Sequence, residues 1–378
     1  MENWFRPAPG GDTPFLDLSR ESRRLKAELT AAFAEVVDSG VFLFGPKTEE
    51  LEHELAVHCG TRYAVAVSSG TAAIEVLMRA CGIGPGDEVI TPAASSYSTP
   101  KAIACAGATP VFADIDPRSC NIDPAHAAAL VTSRTRAILA VHLYGRPADV
   151  EALRSVASRS GILLFEDAAQ AFGASVNGVP AGGCGDAAIL SFYPSKNVGA
   201  LGDAGAIVTS DASLAKRAQS IRFLGFTGER DRFSPDGLLA RMDELQAALL
   251  LVKLRHSAEM LERRLALAAR YDAGLPAPWL RPPAASGVCD VRHLYVIRTG
   301  QRDRVAQFLR ARRIHTQIHY RVPLHRQPAF ENSARSLPVA EQWAREVLSL
   351  PLYPDLTDHE QRCIMTAVSE AYSQISEE

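Results

Sequence analysis

Gly161-Ile162-Leu163-Leu164-Phe165-Glu166-Asp167-Ala168-Ala169-Gln170 is a short apolar run that closes on two carboxylates. A run of this length without polar alternation fits a strand buried on both faces, as in a parallel sheet covered by helices. Asp167 then stands at the carboxyl end of the strand, the edge at which open α/β sheets bind ligands. Neighbours in a strand point to opposite faces, so Glu166 is expected outside any site that Asp167 serves. Read alone, Asp167 also fits a helix N-cap or a turn.

The surrounding pattern repeats this unit. Short apolar strands at 87–91, 109–113, 136–142 and 161–166 alternate with alanine-rich helical segments from about residue 50 to 250. That alternation predicts an α/β fold, a mostly parallel sheet with helices on both faces. An amphipathic helical segment over 19–39, ended near Gly40, precedes it, and the stretch to about Pro14 is rich in Pro and Gly and expected to be extended. After a long helical stretch at 241–272, Pro276, Pro278, Pro282 and Pro283 mark a linker over 273–287. A strand at 291–297 and helices at 302–312 and 337–349 follow, as in a smaller α+β domain. The expected division is an N-terminal segment with the large domain over 1–272 and the smaller domain over 273–378.

Two further tracts bring chemistry to the sheet. Ser191-Phe192-Tyr193-Pro194-Ser195-Lys196-Asn197-Val198-Gly199-Ala200-Leu201-Gly202-Asp203-Ala204-Gly205 sets one lysine between an aromatic, proline-bent approach and a glycine-rich exit. A lysine becomes a nucleophile where desolvation or a second cationic centre lowers its pKa, and Lys196 is a candidate Schiff-base lysine. Tyr63-Ala64-Val65-Ala66-Val67-Ser68-Ser69-Gly70-Thr71-Ala72-Ala73-Ile74-Glu75-Val76-Leu77-Met78 reads as strand, small-residue turn and helix. The Gly70 and Thr71 N–H groups at that helix start suit a phosphate dianion, although a plain Ser/Thr cap reads the same. A lysine, a carboxylate able to keep a pyridine nitrogen protonated and a phosphate-binding helix start are the three fixed points that pyridoxal 5′-phosphate (PLP) requires.

With these tracts the chain, from about Phe42 to Phe330, resembles the DegT/DnrJ/EryC1/StrS aminotransferases of PLP fold type I. Further motifs carry the resemblance: Gly82-Ile83-Gly84-Pro85-Gly86-Asp87-Glu88-Val89-Ile90, Pro110-Val111-Phe112-Ala113-Asp114-Ile115-Asp116, Val141-His142-Leu143-Tyr144-Gly145 and Arg241-Met242-Asp243-Glu244-Leu245-Gln246-Ala247-Ala248. The resemblance implies that Lys196 holds the cofactor and shuttles the proton, that Asp167 pairs with the ring nitrogen and Gln170 with the phenolic oxygen, and that Gly70, Thr71 and Ser191 hold the phosphate. Relatives that dehydrate sugars at C3 carry histidine at the lysine position, so Lys196 implies amino transfer. Two positions depart from the family pattern. Ser96 stands where an aromatic usually covers the ring; either a local register change brings Tyr97, one residue later, into the site to stack, or the ring lacks that cover. Leu239 replaces an Asn that reaches the neighbouring subunit's phosphate.

Composition agrees with a large soluble enzyme. The chain has 378 residues, 47% of them hydrophobic, enough for a substantial core. A net charge of −3 offers no electrostatic reason for nucleic-acid or bilayer binding. Seven scattered cysteines, none in a C-x-x-C pair, read as reduced thiols of a cytoplasmic protein, and the first seven residues lack the pattern of a secretory signal.

The second notable cluster is His315-Thr316-Gln317-Ile318-His319-Tyr320-Arg321-Val322-Pro323-Leu324-His325-Arg326-Gln327-Pro328. His315 and His319 have the spacing of two zinc ligands on one helix face, but Thr316, Ile318, Tyr320 and the prolines favour an extended segment, and no metal is expected. The resemblance implies a loop at the substrate entrance, with His319 and Tyr320 on sugar hydroxyls and Arg321 or Arg326 on a phosphate; surface histidines read equally well. His142 is expected to be a packed strand-end residue. The implied enzyme is a homodimer with shared active sites that moves an amino group from glutamate to a nucleotide-linked ketosugar, at C3 or C4. A keto-cyclitol substrate and a PLP-binding structural or regulatory protein without turnover are the alternatives.

Overall fold

The computed structural model describes residues 11–279, 283–333 and 336–376. The extended stretch expected at the start of the chain lies, through residue 10, outside the described residues, as does Pro282 of the linker.

Alternation of side-chain direction builds the centre of the molecule. In β1 (Tyr63–Val67), Val65 and Val67 join the core on one face while Ala64 and Ala66 join that on the other. Six more strands complete the sheet: β2 (Glu88–Pro92), β3 (Thr109–Ala113), β4 (Thr135–Val141), β5 (Leu163–Asp167), β8 (Ala187–Ser191) and β9 (Gly205–Thr209). A small hairpin, β6 (Ser175–Val176) and β7 (Val179–Pro180), interrupts the run and pairs with β10 (Val288–Cys289). The spatial order is β1-β9-β8-β5-β4-β2-β3, and the β2–β3, β2–β4, β4–β5 and β5–β8 pairs are parallel. Only β9 runs against its neighbours, β8 and β1, so β1, β5 and β8 all end at the same edge.

Helices cover both faces. α1 (Leu18–Arg24) and α2 (Lys26–Ser39) divide the segment expected as one helix, with Leu25 between them. Next come α3 (Pro46–Cys59), α4 (Gly70–Ala80), α5 (Ser98–Cys105), α6 (Pro124–Ala129), α7 (Val150–Ser160) and α8 (Ala212–Arg222). The long helix expected over 241–272 is broken at His256 into α9 (Glu244–Arg255) and α10 (Ser257–Gly274). In the C-terminal part, β11 (Tyr295–Arg298) pairs with β12 (Val347–Leu350), packed by α11 (Arg302–Ala311) and α13 (Asp358–Ser376). The helix expected over 337–349 stops early as α12 (Pro338–Glu346), because Val347-Leu348-Ser349-Leu350 is buried throughout and finds an edge partner in β11.

Thr13 and Arg20, near the start of the described chain, bond to the C-terminal unit, while Glu21 pairs with Lys253 of α9. Thr13 N–H donates to Arg313 O at 2.8 Å, and Arg20 binds both Glu360 oxygens at 2.7 and 2.6 Å. Leu267, Ala268 and Tyr271 of α10 belong to the core that holds Tyr295, Ile297, Leu348 and Leu350. The last turns of α10 therefore already serve the C-terminal unit, and apolar contact rather than chain order sets which side they join.

Candidate active site

The shared edge of β1, β5 and β8 opens into a cleft of about 540 Å³ lined by residues of both parts of the chain. Gly70, Thr71, Asp167, Gln170, Ser191, Lys196, His319 and Tyr320 all line it, together with Ser96. The register explains the convergence, since Val67 and Ser191 both stand opposite Gly205. Glycine is required twice here. A Cβ on Gly70 would lie 2.6 Å from Ser191 Cβ, and one on Gly205 would lie 2.4 Å from the Ser69 carbonyl carbon. Ser69 caps α4, its hydroxyl accepting from Ala72 N–H at 3.1 Å. The N–H groups of the first turn, those of Gly70 and Thr71 included, have no partner inside the helix and face the cleft with the positive end of its dipole.

Asp167 is buried at the end of β5. Its Oδ1 accepts from Ala169 N–H at 3.2 Å and its Oδ2 from the Thr99 hydroxyl at 3.0 Å. Burial pushes its pKa up, opposed by the Ala169 N–H, the charge of Lys196 and the Thr99 hydroxyl. Burial pushes Lys196 down to about 8, while Asp167 works against that shift. Both charges are thus expensive at these buried positions, and a ligand cation facing Asp167 would stabilise the carboxylate. Gln170 is held at both ends: Oε1 accepts from Tyr144 N–H at 2.7 Å and Nε2 donates to the Tyr320 hydroxyl at 3.1 Å. One amide hydrogen is left for a ligand.

Glu166 faces away, as the alternation requires. It accepts from the N–H groups of Gly182, Cys184 and Gly185 and sits 2.9 Å from His142 Nε2. His142 Nδ1 accepts from Ala148 N–H at 3.0 Å, so its ring is packed into the structure with both nitrogens occupied.

Several expected residues are placed elsewhere. Tyr97 does not line the cleft; it is exposed with its ring 6.0 Å from that of Phe330, since α5 begins at Ser98 and turns Ser96 and Thr99 inward instead. Arg321 also points out of the cleft, 64% exposed and 3.8 Å from Asp303. Arg326 pairs with Glu341 at 2.8 Å. His315 binds Asp12 at 2.8 Å, whereas His319, on the same extended segment, enters the cleft with Nδ1 2.9 Å from the Ser349 hydroxyl. Burial and the charge of Lys196 push the His319 ring down to about 4, so it is neutral at pH 7. Leu239 is 66% exposed.

Sequence reasoning missed Thr99, Tyr193, Arg264 and His293, which also line the cleft. Thr99 lies three residues after the unusual Ser96, but nothing in the spacing joins it to Asp167. Arg264 and His293 lie in segments read only for their helix and strand periodicity.

The site fits PLP on this structure's own features: a glycine-cradled helix start for a phosphate, a buried carboxylate at a strand end, and a lysine already lowered toward neutrality in the same cleft. The comparisons agree. The model of the DegT/DnrJ/EryC1/StrS aminotransferase family matches residues 23–369. A dTDP-3-amino-3,4,6-trideoxy-alpha-D-glucose transaminase of Streptomyces venezuelae is 45% identical, covering 94% of this chain and 95% of its own. A protein of Geobacillus stearothermophilus named a pleiotropic regulatory protein is 40% identical over 96% of this chain and 99% of its own. Among solved structures, S. venezuelae DesV in complex with a ketimine intermediate is 44% identical with a TM-score of 0.90, covering 95% of this chain and 98% of that one. The Bacillus subtilis protein NtdA with bound cofactor PMP is 32% identical with a TM-score of 0.91, covering 99% and 87%. The family match over nearly the whole length, with relatives up to 45% identical, settles the matter: the chain belongs to the DegT/DnrJ/EryC1/StrS aminotransferase family and is a PLP-dependent aminotransferase.

Proposed function

We propose that the chain transfers an amino group from glutamate to the keto group at C3 of a nucleotide-linked, dTDP-type keto-deoxysugar. The observation that carries the reading is the convergence of Lys196, Asp167, Gln170, Gly70, Thr71 and Ser191 on one cleft. The choice of C3 over C4 rests on the 3-amino sugar in the name of the S. venezuelae relative.

When bound, PLP supplies an electron sink for the charge left on a carbon that loses its proton. The protein's residues do the rest. Gly70, Thr71 and Ser191 would hold its phosphate. Asp167, supported by Thr99, would keep a ring nitrogen protonated, and the remaining Gln170 N–H would be available to a phenolic oxygen. Lys196 would hold the cofactor, and its free amine would take up and return the proton at the substrate carbon. Its pKa of about 8 suits a group that both accepts and returns a proton near neutral pH. His319 and Tyr320 stand where they can bind sugar hydroxyls. Tyr320 also supplies an aromatic side chain to the cleft in place of the residue replaced by Ser96.

The active unit is a homodimer in this reading. Phe42, Leu43, Phe44, Leu201, Phe233 and Leu239 are all exposed large apolar residues. All but Leu201 are linked, through Leu43 opposite Asp243, Phe44 against Phe223, Phe223 opposite Leu239, and Phe226, which touches Phe223, opposite Phe233. A patch of this kind on a large enzyme is expected to be covered by a partner, here a second copy.

The test is amino transfer from glutamate to 3-keto and 4-keto dTDP-6-deoxysugars, with the product's amine position read by NMR. A 3-amino product from the 3-keto sugar is expected. A 4-amino product would move the reaction to C4, and no amino transfer to either sugar would favour the cyclitol substrate. The name of the Geobacillus relative favours a second reading, a regulatory PLP-binding protein; a holoprotein whose absorbance does not change with any amino acid would support it.

A further inference from the structure

Arg264 of α10 is buried where the catalytic cleft meets a second cavity of about 320 Å³, and it lines both. Its Nη1 is directed at the carbonyls of His293 at 3.1 Å, Leu352 at 3.0 Å and, more distantly, Arg292 at 3.4 Å. All of these bonds use one nitrogen. The tie between α10 and the C-terminal unit thus leaves the hydrogens of Nε and Nη2 uncommitted among the described residues. Burial pushes the guanidinium down to about 10, with only the charge of Glu21 opposing. A buried cation without a paired anion is a costly arrangement, and one that an incoming anion would relieve.

Asn197 lines the same second cavity. His293 Nδ1 lies 3.1 Å from Asn197 Oδ1. Burial, with the charges of Lys196 and Arg264 nearby, keeps His293 neutral. An amide oxygen only accepts, so Nδ1 carries the proton and the orientation of the Asn197 amide is set by it. Its Nδ2 is left buried without a hydrogen-bond partner. An uncommitted guanidinium edge and an orphaned amide N–H are together the complement of a carboxylate, with two acceptor oxygens and one negative charge. Val198, Met260 and Leu261 line the same cavity and offer aliphatic surface to a short methylene chain. An amino acid whose amine displaces Lys196 carries its carboxylates within a few bonds of the reacting nitrogen, and Asn197 is the next residue in the chain.

We propose that Arg264 and Asn197 form the receptor for a carboxylate of the amino donor. The proposal rests on the reading of glutamate as that donor. It makes Arg264 and Asn197 determinants of donor specificity and leaves the ketosugar to the His319–Tyr320 side of the cleft.

Half-reactions separate these roles. With the holoenzyme, conversion of the cofactor by glutamate is followed by absorbance, and its reversal by the ketosugar is followed from the aminated form. Asn197→Ala and Arg264→Lys are expected to raise half-saturation by glutamate at least tenfold while the ketosugar's half-saturation stays within about twofold. Titration calorimetry of the holoenzyme with glutarate, a dicarboxylate with no amine to react, should show the same loss of affinity. Asn197→Ala keeps every carbonyl contact of Arg264, so it decides the matter if Arg264→Lys fails to fold. Unchanged glutarate and glutamate affinity in Asn197→Ala, or equal losses in both half-reactions, would overturn the proposal. If the unaltered enzyme does not respond to glutamate at all, the donor assignment falls, and glutarate binding still decides whether these two residues receive a carboxylate.

Discussion

Thr99 Oγ1 donates to Asp167 Oδ2 at 3.0 Å, joining the first turn of α5 to the end of β5. Ser95 Oγ stands 3.0 Å behind it. With the Thr99 proton committed to the carboxylate, Ser95 is the donor of the pair, and a two-hydroxyl chain supports the charge of Asp167. A hydrogen bond to a charged group contributes about 1.5–3 kcal/mol, which is about one to two orders of magnitude. Thr99→Val should therefore lower kcat/KM by about tenfold to a hundredfold at neutral pH, and Thr99→Ser should restore most of it. Steady-state kinetics on both variants checks this, and an undiminished rate in Thr99→Val would remove Thr99 from the machinery.

Lys196→Ala should lose the protein-linked chromophore and essentially all turnover. Borohydride reduction of the holoenzyme followed by peptide mass spectrometry should find the cofactor on Lys196, and its recovery on another lysine would sink the assignment.

The neutral amine is the form that attacks the cofactor's aldehyde. With a pKa lowered to about 8, about a tenth of Lys196 is neutral at pH 7. Reconstitution of the apoprotein with PLP should accelerate close to tenfold per unit of pH below 8 and level off above it. A rate that keeps climbing to pH 10 would mean that the lysine is not desolvated.

The adjacent carboxylates should separate activity from stability. Asp167→Asn should keep a near-normal melting temperature and lose turnover by several orders of magnitude, because a neutral partner does not hold the ring proton. Glu166→Ala strips three N–H groups and His142 of a buried acceptor, and should cost about 3–5 kcal/mol of stability. Chemical denaturation beside kinetics reads both; near-normal turnover in Asp167→Asn would contradict its role.

Leu239→Asn should tighten PLP binding by about one to two orders of magnitude if the new amide reaches a partner subunit's phosphate with the strength of a charged hydrogen bond. Equilibrium dialysis and sedimentation of both forms decide it. A fully active monomer would overturn the shared-site reading, and a dimer of unchanged affinity would show that residue 239 lies away from the phosphate.

Local pattern made much of this protein legible. The apolar run before Asp167, the strand–turn–helix at Gly70 and the glycine-rich exit after Lys196 each carry their own geometry in a few consecutive residues. Periodicity and glycine placement therefore announced the sheet edge and the tracts that meet at its cleft, and side-chain alternation separated Glu166 from Asp167. Element ends were less legible. Whether Val347–Leu350 continues a helix or becomes a strand depends on β11, some fifty residues earlier in the chain, offering a free edge. The same limit applies to the residues that were missed or misplaced. Tyr97 and Thr99 are two residues apart, and only the packing of α5 against β5 turns one to solvent and the other onto Asp167. Arg264 has meaning only beside carbonyls of residues 292–293 and 352. Sequence alone determined the fold class and the tracts that line the cleft at the sheet edge, because those properties are set by neighbours along the chain. Tertiary structure alone decided which buried donors remain uncommitted, because hydrogen-bond partners distant in sequence meet only when the two parts of the chain pack together.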